Sequence, residues 1–195
     1  MKNLKEMTNE QLAIAYANGD NKAFDLLLTR TQGKLYQYIL FVVRDRAMAD
    51  DVFQDTFVKA ITKIRNGNYQ PNGKFNAWLI RIAHNVVMDM YRDLRFEKIV
   101  EPTVDNDLSN LSGNDFLDGN IENQYITEQN FRDARALMEA LPASQREIVY
   151  MRFYQQMSFK EIAEATGISI NTCLGRMRYA VHNMRRMANQ YKLAM

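Results

Sequence analysis

The segment from 50 to 57 carries polar side chains at a spacing that places them together on a helix. They are Asp50, Asp51, Gln54 and Asp55. At about 100° per residue these four share one face, and apolar side chains such as Phe57 and Ile64 fall on the opposite one. Paired carboxylates can bind a divalent cation or act as acid and base, but no nucleophile or phosphate-binding glycine lies near them in the sequence. The pattern favours a docking surface for a basic partner over catalysis, with a solvated acidic face as the plain alternative.

A second polar face follows on the helix predicted from about Phe75 to Arg95. An apolar stripe that includes Leu79, Ile82 and Val86 lies on one side of that helix. The opposite side carries Arg81, His84, Asn85, Met88, Arg92 and Arg95. Cations beside an amide and an apolar group suit phosphate contact and base recognition, and Tyr69 in the preceding loop could stack on a base. The plain alternative is again a solvated face.

The segment 158–186 has the pattern of a helix-turn-helix. Ala163, Gly167 and Cys173 are separated by four and six residues, which supplies a small residue between the helices, a tight turn and a buried apolar side chain in the second helix. Such a motif places the start of its second helix in the DNA major groove. The side chains near base edges would be Ser169, Asn171, Thr172, Leu174, Gly175 and Arg176, with Arg178 further along towards phosphates. Two packed helices that bind no DNA are the alternative.

The distribution of charge agrees with a nucleic-acid partner. The net charge is only +2, yet residues 1–95 and 131–195 carry +4 and +5, and the strip 96–130 carries −7. No acidic residue follows Glu164, whereas five basic ones do. A basic segment of this kind suits a polyanion.

The composition also excludes several classes of protein. A single Cys173 excludes an intrachain disulfide and a multi-cysteine zinc site, and two histidines leave little for a metalloenzyme, so we expect no metal and no cofactor. No apolar run approaches the length of a membrane span, and the first residues lack the apolar stretch of a signal peptide. We therefore expect a cytoplasmic protein with no membrane insertion.

Helix signals dominate the chain and no credible pair of strands is found, so the predicted fold class is all-α. The length of 195 residues suits two small helical domains, 1–96 and 131–195, joined by a flexible acidic linker, 97–130. Helices are predicted over about 24–43, 46–65, 75–95, 131–141, 145–155, 159–166 and 170–187. Caps are predicted at Thr8, Asp45, Ser144 and Ser158.

Four stretches, in this order and separation, resemble a known family. They are 50–57 (DDVFQDTF), 75–85 (FNAWLIRIAHN), 141–147 (LPASQRE) and 161–163 (EIA). With them the chain resembles the bacterial RNA polymerase sigma factors of the extracytoplasmic-function type. The resemblance implies two helical domains, the second and fourth of larger sigma factors. It also implies a chain that directs polymerase to promoters and is not itself an enzyme.

The resemblance assigns a role to each surface. The face bearing Asp50, Asp51, Gln54 and Asp55 would dock on the clamp helices of core RNA polymerase. The residues implied for melting and reading the minus-ten promoter element are Tyr69, Lys74, Arg81, His84, Asn85, Met88, Arg92 and Arg95. The helix from Asn171 would read the minus-thirty-five element, the acidic linker would follow the RNA-exit path, and an anti-sigma factor is an expected partner. Leu174 and Gly175 depart from the family's usual basic and hydroxyl residues, so the minus-thirty-five sequence is not implied.

Two other functions are compatible with the residues. A stand-alone helix-turn-helix repressor or activator would bind duplex DNA tightly by itself, as a dimer on two half-sites. An enzyme built on the carboxylates of Asp50, Asp51 and Asp55 would bind a divalent ion there. A sigma factor would instead bind DNA weakly alone and polymerase tightly.

Overall fold

The computed structural model describes residues 4–97 and 128–190, with side chains described for 4–94 and 133–190. After a 3-10 turn at Leu4–Glu6, the described residues form eight α-helices and no strand, which confirms the predicted all-α class for this part of the chain. The helices are α1 (Asn9–Ala17), α2 (Asn21–Val43), α3 (Arg46–Arg65), α4 (Phe75–Glu97), α5 (Glu128–Glu139), α6 (Ala143–Phe153), α7 (Phe159–Thr166) and α8 (Ile170–Gln190). We refer to α1–α4 as the N-terminal block and to α5–α8 as the C-terminal block.

Side-chain caps explain where several helices begin. Thr8 and Ser158 form the predicted capping boxes of α1 and α7, and the Asp45 carboxylate caps α3 by accepting a 2.9 Å bond from a backbone N–H. The cap predicted at Ser144 is wrong, because α6 begins at the residue before it and Pro142 is the N-cap residue. The Pro142 carbonyl accepts two backbone bonds of the first turn, at 3.0 and 2.9 Å, so Ser144 already lies inside that turn.

The N-terminal block is a helical bundle around buried aliphatic side chains. Helix α1 packs on α2, α2 on α3, and α3 on α4. Fully buried members of this core include Leu12, Leu27, Leu35, Ile39 and Ile64. Removal of such side chains from water is the main force that holds helices together. The bundle therefore fixes the acidic segment of α3 and the basic segment of α4 on adjacent helices.

Helices α7 and α8 form the predicted helix-turn-helix. Between them, Gly167 adopts a left-handed backbone conformation with φ of 71°, which residues with a β carbon rarely adopt. Cys173 is fully buried, as predicted, together with Ile162 and Ala163. Helix α6 packs across α8 and supports the motif from behind.

The two blocks pack against each other. Helix α4 contacts α7 and α2 contacts α6, and buried side chains of both blocks belong to one continuous cluster. Helix α4 runs to Glu97 and α5 begins at Glu128, so both extend into the strip 97–130 predicted as a linker, the rest of which lies outside the described residues. Within the described ranges, no helix combines the length and the apolar character needed to cross a bilayer.

Candidate functional site

Helix α3 presents the predicted acidic face to solvent. The four predicted side chains, Asp50, Asp51, Gln54 and Asp55, are all exposed, whereas Val52 and Thr56 on the other side of the helix are buried. Asp50 accepts a 2.7 Å hydrogen bond from the hydroxyl of Tyr36 on α2, and this bond raises the pKa of Tyr36. Across residues 4–94 and 133–190, no three His, Cys, Asp or Glu side chains are grouped so as to hold a metal ion. The acidic face is thus open to solvent, and the hydrogen bond between Tyr36 and Asp50 ties its first residue to α2.

An apolar side chain lies at the C-terminal end of this acidic face. Val58, one turn after Gln54 and Asp55, is 61% exposed. An apolar contact surrounded by polar residues is the usual anatomy of a protein–protein interface. Sequence reasoning did not single out Val58, although its spacing from Gln54 and Asp55 contains the signal.

Glu10 of α1 holds the start of α4. Its Oε1 accepts a 2.6 Å hydrogen bond from the Phe75 backbone N–H and a 3.2 Å bond from the Tyr69 hydroxyl. A carboxylate at a helix N-terminus also interacts favourably with the helix dipole. The loop 66–74 is therefore tied at its centre and at its end to a residue that sequence reasoning missed.

The ring of Tyr69 lies inside an aromatic cluster. Its centroid is 4.6 Å from that of Trp78 and 5.6 Å from that of Phe75, and the residue is only 9% exposed. Burial raises the pKa of Tyr69, which keeps the phenol protonated as a donor to Glu10. The exposed stacking platform predicted from sequence is therefore not present in this arrangement, because packing against the neighbouring aromatic rings leaves little of Tyr69 open to solvent.

The outer face of α4 is exposed over part of its predicted extent. Arg81, Asn85 and Arg92 are exposed and Met88 is half-buried, whereas the side chain of Arg95 lies outside the described residues. The Nη1 of Arg92 lies 3.1 Å from Asp89 Oδ1 on the same helix. Two guanidinium groups, of Arg81 and Arg92, and the amide of Asn85 are therefore open to solvent on one side of α4.

Two other predicted minus-ten residues are engaged by the C-terminal block. His84 is 7% exposed, and its Nδ1 lies 2.7 Å from Oε1 of Glu147 on α6. Lys74 Nζ lies 3.1 Å from Oε1 of Glu161 on α7. The exposed position predicted for His84 is wrong, because the helix carries a second apolar stripe beside it that packs on the C-terminal block.

The start of α8 is exposed, as a DNA-reading helix requires. Ser169 caps it, since its hydroxyl accepts a 3.0 Å hydrogen bond from the Thr172 backbone N–H. Asn171 and Leu174 are exposed. Of the other predicted residues, Thr172, Gly175 and Arg176 are half-buried, and Ser169 and Arg178 are exposed. Ile170, which sequence reasoning missed, is 45% exposed one turn before Leu174, so two apolar side chains are open to solvent at the start of α8.

Two family models match the chain, one in each block. The model for Sigma-70 region 2 matches residues 27–97, and the model for Sigma-70, region 4 matches residues 131–178. The first range contains the acidic face of α3 and the basic face of α4. The second contains α6, α7 and the start of α8.

Among characterised proteins, the chain is similar to several sigma factors. It is 32% identical to the ECF RNA polymerase sigma factor BldN of Streptomyces coelicolor, over 76% of this chain and 54% of BldN. It is 28% identical to SigE of Mycolicibacterium smegmatis, over 92% of this chain and 66% of SigE. The RNA polymerase sigma-H factor of Pseudomonas aeruginosa is 25% identical over 89% of this chain and 90% of the relative. The chain therefore spans 54% and 66% of the length of BldN and SigE, and most of sigma-H.

Solved structures show the same fold. CnrH in complex with the cytosolic domain of CnrY matches with a TM-score of 0.62 and 24% identity, over 93% of this chain and 97% of CnrH. RpoE of Bartonella quintana in complex with the anti-sigma factor NepR matches with a TM-score of 0.63 and 20% identity, over 89% of this chain and 99% of RpoE. With both sigma-70 regions matched in order and with these relatives, the chain belongs to the sigma-70 family of RNA polymerase sigma factors, in its extracytoplasmic-function group.

Proposed function

We propose that this chain binds core RNA polymerase, directs it to specific promoters and helps to melt the DNA there. The observation that carries the proposal is that each sigma-70 region holds an exposed polar helix face on a packed helical support. As an initiation factor the chain performs no chemical step itself, since polymerase forms the phosphodiester bonds. We place its action in the cytoplasm, where polymerase and promoter DNA meet.

The acidic face of α3 is the surface proposed to dock on polymerase. Val58 is exposed one turn beyond Gln54 and Asp55, so a basic partner would gain both charge complementarity and an apolar contact. Because Val52 and Thr56 anchor the helix from behind, the face is already ordered before binding, which lowers the entropy lost on association.

The outer face of α4 and the preceding loop are proposed to handle the minus-ten element. Arg81 and Arg92 supply phosphate contacts, and Asn85 has the two donors and one acceptor needed to hold an unstacked base. Extruding a base from the duplex costs a few kcal/mol, so contacts made only after extrusion shift the balance towards melted DNA. Lys74 would join this surface once its ion pair with Glu161 is released, and Tyr69 would hold the loop 66–74 in place through its hydrogen bond to Glu10.

The start of α8 is proposed to read the minus-thirty-five element. In this proposal Arg176 contacts base edges and Arg178, two residues on, contacts phosphate, which the exposure of Arg178 supports. We expect Arg176→Ala to lower selectivity among minus-thirty-five sequences by about 1–3 kcal/mol. Arg178→Ala, as the matched control, should weaken binding by a similar amount for every sequence. Competition binding of the reconstituted holoenzyme to a set of minus-thirty-five variants measures both, and a uniform loss for Arg176→Ala would move that residue to phosphate contact.

An anti-sigma factor is a proposed partner. The similar proteins CnrH and RpoE were solved in complex with the cytosolic domain of CnrY and with the anti-sigma factor NepR, respectively. A protein that engages both blocks of this chain would keep the surfaces of α3 and α8 from polymerase and promoter.

Transcription in vitro tests the proposed function. The purified chain is added to core RNA polymerase of the same species with a library of genomic fragments, and the transcripts are sequenced. We expect starts that require both components and that share one promoter motif. Tight binding of duplex DNA by the chain alone, with no effect on polymerase, would instead identify a stand-alone helix-turn-helix regulator.

A further inference from the structure

One acidic side chain lies within the basic outer face of α4. Asp89 follows Asn85 by one turn and precedes Arg92 by three residues, and its side chain is 47% exposed. At about 100° per residue it falls within about 60° of both of them around the helix. A carboxylate at this place repels the phosphate groups that the neighbouring arginines attract. Its presence on a surface proposed to hold DNA therefore calls for a physical explanation.

Asp89 pairs with two cations that belong to two different helices. Its Oδ1 lies 3.1 Å from Nη1 of Arg92, and its Oδ2 lies 3.5 Å from Nζ of Lys59 on α3. Each carboxylate oxygen therefore has its own cation. The side chains of Arg92 and Lys59 are 62% and 48% exposed, so both cations remain within reach of a ligand in solvent.

The contact with Lys59 extends the basic surface from α4 onto α3. The exposed side of α3 is acidic in its first half, whereas Lys59 and Lys63, one turn apart in its second half, are exposed and basic. Because α3 packs on α4, the ammonium of Lys59 and the guanidinium of Arg92 lie on the two sides of one carboxylate. The surface proposed to contact DNA therefore includes a residue of α3 that sequence reasoning did not single out.

These ion pairs add little to the stability of the fold, because water and salt screen pairs between exposed side chains. Buried side chains of both helices, such as Ile64 and Val86, already belong to one apolar core. Arg146 shows the contrast, since this buried cation has a structural role: its Nη2 donates a 3.0 Å hydrogen bond to the carbonyl of Val42 at the end of α2. An exposed carboxylate with two exposed cations has more effect on a charged ligand than on folding.

The effect of Asp89 on DNA binding follows from charge. With one negative and two positive charges, Asp89, Lys59 and Arg92 carry a net charge of +1, and without the carboxylate the same place carries +2. A phosphate that approaches either cation must displace the carboxylate or bind beside it, which weakens the attraction. Phosphate contacts are the same for every sequence, whereas the amide of Asn85 can read a base. Asp89 therefore raises the share of the binding free energy that depends on sequence.

We propose that Lys59 is a further phosphate-contacting residue of the surface for the minus-ten element, and that Asp89 is a positioning residue that restrains Lys59 and Arg92 and so limits binding to DNA of arbitrary sequence. This inference rests on the function proposed above, because it assigns the three residues to the promoter surface. Its first test uses the full-length chain without polymerase, so that test does not depend on initiation.

Binding of a fluorescent single strand of DNA tests the restraint. The probe has about 20 nucleotides of mixed sequence, and its anisotropy is followed from about 50 to about 300 mM salt. We expect Asp89→Asn to bind it about three to five times more tightly than the native chain at the lowest salt. The slope of log affinity against log salt should steepen by about 0.7 for each cation released. A change in folding alone would not steepen this slope.

Two control variants separate the position of the charge from its amount. Asp25→Asn removes the same charge from an exposed part of α2 and should change the affinity by less than about 1.5-fold. Asp89→Glu keeps the carboxylate and should bind like the native chain. Equal gains in Asp89→Asn and Asp25→Asn would overturn the proposal, because net charge alone would explain them. Weaker binding by Asp89→Asn would also overturn it, since the carboxylate would then orient the cations towards phosphate.

A comparison of two backgrounds tests the role of Lys59. In the native chain, where Asp89 holds the ammonium, Lys59→Gln should lower the affinity for the single strand by less than about 1.5-fold. In the Asp89→Asn chain the same substitution should lower it by about two- to threefold, because the ammonium is then available to phosphate. Equal effects in the two backgrounds would show that Asp89 does not restrain Lys59.

The reconstituted holoenzyme tests the consequence for specificity. We expect Asp89→Asn to retain promoter binding and to bind a duplex without a promoter more tightly, so that the ratio of the two affinities falls by about three- to fivefold. An unchanged ratio would overturn the role in specificity. If the native holoenzyme initiates at no promoter, the proposed function fails, whereas the anisotropy of the probe with the free chain still decides whether Asp89 restrains the two cations.

Discussion

Helices α3 and α4 are neighbours of similar length, yet they are covered to different extents. Helix α3 buries one side and leaves Asp51, Gln54, Asp55 and Val58 in solvent, whereas α4 buries its core side and also the side that carries His84. Both helices show a polar face opposite an apolar stripe in the sequence. The difference teaches that helical periodicity locates a polar face, and that only the packing of the second block decides whether the face is open.

The largest effect is expected in the free energy of unfolding, from a comparison of two valines. Val87 is fully buried on α4 and Val58 is 61% exposed on α3. We expect Val87→Asp to lower the free energy of unfolding by about 3–5 kcal/mol, because an unpaired charge would be buried. Val58→Asp should change it by less than about 0.5 kcal/mol. Denaturant unfolding measures both changes. Equal losses of unfolding free energy in the two variants would contradict the difference in burial between the two helix faces.

The next test separates the functions of the two exposed faces. Asp51→Arg should weaken polymerase binding by about tenfold or more while the chain stays folded, since the charge is reversed on an exposed face. Asn85→Ala should leave polymerase binding unchanged and lower open-complex formation by about tenfold, the effect of one lost hydrogen bond. Asp25→Arg, on an exposed part of α2, is the control for added charge. Binding assays and permanganate footprinting give the two readouts, and loss of both steps in Asn85→Ala would contradict a role in melting.

A smaller effect is expected at the helix starts. Glu10→Ala should destabilise the chain by about 1–2 kcal/mol, because it leaves Phe75 N–H and the Tyr69 hydroxyl without their acceptor. Asp45→Ala removes the cap of α3 and should cost about 1 kcal/mol. Only Glu10→Ala should also impair melting, since it alone releases the loop 66–74. Thermal unfolding beside open-complex assays distinguishes them, and Glu10→Gln, which keeps an acceptor oxygen, should recover most of the loss.

The smallest effect depends on pH. Hydrogen bonds from the backbone and hydroxyl of Ser158 lower the pKa of Glu161, with a further contribution from Lys74. A carboxyl with a lower pKa in the folded state stabilises the fold above its unfolded pKa, and this contribution is lost as pH falls through the folded pKa. The native chain should therefore exceed Glu161→Gln in stability by up to about 1 kcal/mol near neutral pH, a gap that closes below about pH 4. Denaturant unfolding across this range measures it, and a gap that persists in acid would assign the effect to shape instead of charge.

Much of the fold could be predicted from local signals. The start of α3 follows from the Asp45 cap, and the bounds of α7 follow from the Ser158 capping box and Gly167. The start of α6 was missed because Pro142 begins the helix without a side-chain cap. Tyr69 and His84 were expected to be exposed. His84 is covered by contacts that include Glu147, which is distant in sequence, whereas Tyr69 packs on Phe75 and Trp78 only a few residues along the chain, where a loop meets a helix and helical periodicity reports nothing. Val58 and Ile170 were missed for the opposite reason, since apolar residues on a helix are ordinarily assigned to a core.

The bond from Arg146 to the Val42 carbonyl has a consequence for hydrogen exchange. The last turn of α2 contains no basic side chain of its own, and its final carbonyls lack helical partners. The guanidinium that completes this helix end comes from the other block and also suits the negative end of the helix dipole. If that guanidinium is withdrawn, the turn that ends at Val43 loses its partner and frays. The amide protons of this turn therefore report the contact between the two blocks, readable by deuterium uptake in the unmodified chain.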